Sequence, residues 1–149
     1  MSNDPARHVV LPGTRRRLLV EALIALLIAR LAMFFLPFRR IAAWLGTPGA
    51  ESSSTATAEQ ILTAEAVGRA VGIVGPRVPW DGRCLAQALA ATWMLRRRGL
   101  EGTVSFGVCK SKSSGFEAHA WLRLGPCMVT GGPDHERYKV FTTFARRKP

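Results

Sequence analysis

Apolar residues crowd the stretch from Leu18 to Phe38, LLVEALIALLIARLAMFFLPF. Leu19, Leu23, Leu26, Leu27, Leu31 and Phe34 recur at offsets of three and four, which predicts a helix from about Thr14 to Phe35, stopped by Pro37. The run has the ~20 residues a bilayer span needs. Glu21 and Arg30 interrupt it, and each would cost roughly 2.5–3.5 kcal/mol near the bilayer centre. Packing against a core or a partner is therefore the expectation, with peripheral membrane contact left open. Arg15, Arg16 and Arg17 resemble the start of a signal peptide, but PFRR follows where a small-residue cleavage site would stand.

Gly46 to Thr55 has the composition of a linker, and divides an N-terminal helical segment (1–50) from a core (56–149). Thr57 and Gln60 have the spacing of a capping box, opening a helix to about Val71 that Gly75-Pro76 and Pro79 stop. Good helix formers then run from Cys84 to Arg98, closed by Gly99. Alternation predicts a strand over Gly102–Cys109, a polar turn over KSKSSG, and a second strand over Phe116–Leu124. On that second strand Glu117, His119, Trp121 and Arg123 share one face. Ala118, Ala120 and Leu122 share the other, the core side.

Composition narrows the class. A chain of 149 residues suits one domain, and a hydrophobic fraction of 48% argues against a disordered polycation. Three cysteines cannot form a complete disulfide framework, so a reduced, cytoplasmic chain is expected. The net charge of +11 suggests nucleic acid or an anionic membrane. It is blocky, however: net +5 over residues 1–40, +5 over 83–112 and +5 over 137–149. Arg96, Arg97 and Arg98 sit where a helix dipole favours cations, and Arg146, Arg147 and Lys148 form a terminal tail. With no recognisable nucleic-acid motif, nucleic acid is not expected as a partner.

Cys84 opens a helix. Unpaired N–H groups and the positive dipole end favour a thiolate there, and Arg83 adds charge. The bland alternative is a small buried hydrophobe. His119, 35 residues on, lies on a strand that the intervening helix, turn, strand and turn can return to the helix N-terminus. A thiolate and an imidazole in reach of each other perform acyl transfer, with a third group orienting the ring. Asp134 is the favoured third group, with Glu136 as the other candidate; capping a turn is its bland alternative. Cys109 ranks below Cys84 because it lacks a helix N-terminus. Cys127 falls in a Gly-Pro turn. No C-x-x-C spacing supports a zinc site, and neither metal nor cofactor is expected.

The strings PWDGRCLAQALAATWMLRRRGL, VSFGVCK, EAHAWLRLG, VTGG and RYKVFTTF, with the lead-in RRLLVEALIALLIARLAMFFLPFRRIAAWLG, resemble the lasso-peptide leader peptidases. These are transglutaminase-like cysteine proteases of bacterial peptide biosynthesis. The resemblance implies an α+β fold: a helical lead-in, then a small papain-like core with the nucleophile at a helix N-terminus packed on an antiparallel sheet. It implies leader removal from a ribosomally made precursor before an ATP-dependent cyclase closes a macrolactam. The family triad maps onto Cys84 and His119. Where some relatives carry the Asp, this chain has Gly131-Gly132, which makes Asp134 the nearest substitute. The short stretch before Leu18 implies a split form that recruits a separate leader-recognition protein, with the cyclase as a further partner. Two other classes stand beside this reading: a transglutaminase-like acyltransferase, and a non-catalytic basic adaptor on a membrane or anionic ligand.

Overall fold

A computed structural model describes residues 12–80, 83–113 and 115–147, without the side chains of residues 12, 13 and 134. Helices α1 (Pro12–Phe35) and α2 (Phe38–Leu45) come first, then a two-residue strand, β1 (Thr47–Pro48). α3 (Ala58–Val74) and α4 (Cys84–Arg96) follow, and then β2 (Thr103–Ser111), β3 (Gly115–Leu124), β4 (Cys127–Thr130) and β5 (Lys139–Ala145). The five strands form one antiparallel sheet in the order β1-β5-β2-β3-β4. Mixed helices and an antiparallel sheet with a helical lead-in are the architecture the sequence implies.

Local chemistry sets the helix ends. Thr57 Oγ1 accepts from Gln60 N–H at 3.2 Å while Gln60 Oε1 accepts from Thr57 N–H at 3.0 Å, the reciprocal box read from the sequence. α4 is buried on nearly every side. Ala86, Ala88, Ala90 and Ala91 let its neighbours approach closely, and Met94 and Leu95 fill the core between them. α1 packs against α3 and α4 through Ala22, Ala25, Leu26 and Ala29, so it belongs to the same core. The other layer comes from the sheet: Val104, Leu122, Leu124, Val129 and Phe144 face the helices.

Residues 46–55 are more than a linker. Thr47 and Pro48 pair with Ala145 and Phe144, Ser52 N–H donates to Thr103 Oγ1 at 2.8 Å, and Thr143 Oγ1 donates to Ala50 O at 2.9 Å. The polar composition reads as loose chain because backbone pairing with a distant strand leaves no mark in it. The arginines after α4 also have structural work. Arg96 donates to the last carbonyls of α2, Trp44 O and Leu45 O, at 2.6 Å each, and its Nε donates to Glu101 at 3.1 Å. Arg98 pairs with Glu21 of α1 at 2.7 Å. Much of the basic block at 96–98 is thus spent inside the protein.

Candidate active site

Cys84 is the first residue of α4 and is half-buried. Arg83, the N-cap residue, makes no side-chain cap hydrogen bond, and the positive end of the α4 dipole lies at the thiol. From the other end of α4 the chain passes through Leu100 and Gly102 into β2, where Thr103 pairs with Arg123 of β3. Twelve helical rises of ~1.5 Å put Cys84 roughly 18 Å from that end. α4 packs against β3 along the way.

His119 lies on β3, opposite Gly107 of β2, one residue from the position near Phe106 that a symmetric turn predicts. Its Nε2 is 2.9 Å from Gly131 O. A carbonyl only accepts, so Nε2 carries the hydrogen and the neutral ring keeps its lone pair on Nδ1, the atom a base needs. Two aromatic rings hold the imidazole, Tyr138 at 4.8 Å and Trp121 at 5.7 Å between centroids. Glycine makes room for both contacts. A Cβ on Gly107 would lie 2.8 Å from Trp121 Cη2 and 2.9 Å from Tyr138 Cβ. Gly131 has φ +105°, and a Cβ there would overlap Trp121 Cβ.

Parity along β3 puts His119 on the side of Trp121 and Arg123, away from Leu122 and the helices. Among the described residues β4 pairs with Leu122, Arg123 and Leu124 of β3 and does not reach His119. Among the described residues no hydrogen bond joins Cys84 to His119; such bonds often close only around substrate.

The other candidates separate as follows. Cys109 lies on the His119 side of the sheet, opposite Glu117, and its Sγ is 4.0 Å from Glu117 Oε2: the thiol meets a carboxylate, not an imidazole. Tyr138 donates to the same oxygen at 3.5 Å. Burial first, then Cys109 and Glu117, pushes the Tyr138 phenol above its ordinary value, so it stays a protonated donor. Cys127 begins β4, and burial followed by Glu65 raises its thiol, as suits a bystander. Asp134 falls in a short 3-10 turn (Pro133–Arg137), but its side chain lies outside the described residues. His135, in the same turn, bonds Gly132 O through Nδ1 at 3.1 Å. Among the described residues no group of three His, Cys, Asp or Glu is placed to hold a metal ion. A cavity of about 670 Å³ between α1 and α3, lined in part by Glu21, Glu59 and Arg98, contains none of the candidates.

Two neighbours of His119 were not legible in the sequence. Gly131 acts through a backbone carbonyl, which no residue type advertises; the Gly-Gly pair was its only signal. Tyr138 is the single tyrosine of the chain and lies in a string that carries the family resemblance, yet nothing in its spacing links it to His119.

No curated protein and no solved structure matches the chain. The family model described as the transglutaminase-like superfamily matches residues 25–143, from within α1 to within β5. A cysteine opening a buried helix, a histidine on an antiparallel sheet and a match over most of the chain lead to one conclusion: this protein belongs to the transglutaminase-like superfamily, whose cysteine-dependent members include peptidases and acyltransferases.

Proposed function

We propose that the chain is a cysteine peptidase that removes the leader from a ribosomally made lasso-peptide precursor. The observation that carries the catalytic part is the bond from His119 Nε2–H to Gly131 O, which leaves Nδ1 as the free base. The peptide-processing part rests on the resemblance of the strings around Cys84 and His119.

In this reading His119 Nδ1 takes the Cys84 proton and the thiolate attacks the carbonyl at the leader–core junction. The N–H groups of the first turn of α4 stabilise the oxyanion. The imidazolium gives its proton to the departing amine of the core, leaving the leader as a thioester on Cys84. Nδ1 then deprotonates water, which attacks the thioester; free leader acid departs and the thiol is regenerated. A separate recognition protein presents the leader, and the freed core amine passes to an ATP-dependent cyclase.

The test is incubation of precursor and recognition protein with wild type or Cys84→Ala, followed by mass spectrometry. Free leader acid in the wild type alone supports hydrolysis. An amine adduct would instead identify an acyltransferase, and equal cleavage by Cys84→Ala would sink the assignment of the nucleophile.

A further inference from the structure

The site chemistry leaves one large feature unused, the outer side of α1. At 3.6 residues per turn, Ile24, Leu27, Ile28, Leu31, Phe34 and Phe35 lie opposite the core-facing Ala22, Ala25, Leu26 and Ala29. Those six are 43–72% exposed, whereas the four inward residues are at most 5% exposed. Soluble proteins rarely leave a continuous apolar patch of this kind uncovered.

The two ionisable residues within the stretch do not break it. Glu21 turns aside to Arg97 and Arg98, at 3.3 and 2.7 Å, and Arg30 lies on the flank. Charge returns only at the ends. Arg15, Arg16 and Arg17 are exposed at the start of α1, and Arg39 and Arg40 are exposed just after it. Cations at a helix N-terminus oppose the dipole, so the first three do not serve the helix itself.

From this we infer that α1 docks the protein onto an anionic lipid surface, lying in the interface plane with its outer side among the acyl chains. The occupant follows from two features. Protein interfaces carry about one hydrogen bond per 100–200 Å², yet Ile24, Leu27, Ile28, Leu31, Phe34 and Phe35 of this ridge have no side-chain donor or acceptor. Acyl chains require none, and the five terminal arginines match anionic headgroups. The helix is long and apolar enough to cross a membrane, but the packing opposes a spanning orientation: withdrawing α1 would expose Ala22, Ala25, Leu26 and Ala29 and break the Glu21–Arg98 pair. The body of the protein supplies the polar side that an isolated interfacial helix carries on itself.

The experiment is co-sedimentation of the full chain with phosphatidylcholine vesicles, with and without phosphatidylglycerol. Wild type is expected in the pellet with the anionic vesicles. Ile24→Glu/Leu31→Glu should lower its partition about tenfold or more. Arg39→Ala/Arg40→Ala should lower it about tenfold and flatten its salt dependence. All four positions are solvent-facing, and circular dichroism melts verify that the variants fold. Wild type remaining in the supernatant would overturn the inference, as would binding that the two glutamates leave unchanged. A dimer in light scattering that those glutamates dissolve, without vesicle binding, would assign the ridge to a second copy instead.

Discussion

The imidazole of His119 donates its Nε2–H to the carbonyl oxygen of Gly131 at 2.9 Å. In cysteine–histidine enzymes that position orients the ring, and a carboxylate or side-chain amide commonly fills it. Here a backbone carbonyl does so, where Gly131 alone permits the approach. Nitrogen-15 spectra of labelled histidine should therefore show the Nε2–H tautomer for neutral His119. A Nδ1–H tautomer would remove the free base and contradict the proposed mechanism.

If the carbonyl suffices to orient the ring, Asp134 is dispensable. Asp134→Asn should reduce kcat/KM by less than about tenfold, whereas losing a required triad carboxylate costs ~10⁴. A loss near the larger figure would restore Asp134 to the site.

Cys84→Ala should abolish turnover, by at least about 10³-fold, because the proposed acyl-enzyme forms on this thiol. The side chain is half-buried at a helix start, so urea denaturation should show a stability change within about 1 kcal/mol. A large loss of stability together with residual activity would indicate a structural cysteine.

Gly107→Ala places a methyl 2.8 Å from Trp121 Cη2 and 2.9 Å from Tyr138 Cβ, the two residues whose rings flank His119. Overpacking of this kind costs roughly 1–3 kcal/mol. Stability in denaturant should fall accordingly, and kcat should fall with it as the imidazole loses its support. Wild-type kcat in this variant would show that the aromatic flanks do not position the ring.

The hydrogen bond from Arg98 is the main cause holding Glu21 below its ordinary value of 4.5, against the opposing pull of burial. A carboxylate depressed in the folded state contributes stability above its unfolded pKa and loses it as pH falls through the folded one. Thermal melts should therefore weaken on acidification below about pH 4.5. Glu21→Gln should flatten that acid limb and lower stability at neutral pH; an unchanged acid limb would show that the pair is not linked to folding.

By itself the sequence determined what depends on neighbours in the chain. The Thr57–Gln60 box, the stop at Pro37, the start of α4 at Cys84 and the alternation through β2 and β3 all follow from spacings of a few residues. The same local reading put Cys84 in a first turn and His119 on a polar row. Only the tertiary structure decided what depends on distant partners. It strapped residues 46–55 to the sheet, set β5 between β1 and β2, and turned Arg96 toward the carbonyls of α2. It also put the Gly131 carbonyl on His119 and left one side of α1 bare. Backbone carbonyls and exposed faces belong to no residue type, so neither is written in a spacing. They arise when elements far apart in the chain meet, and here they decide how the histidine is held.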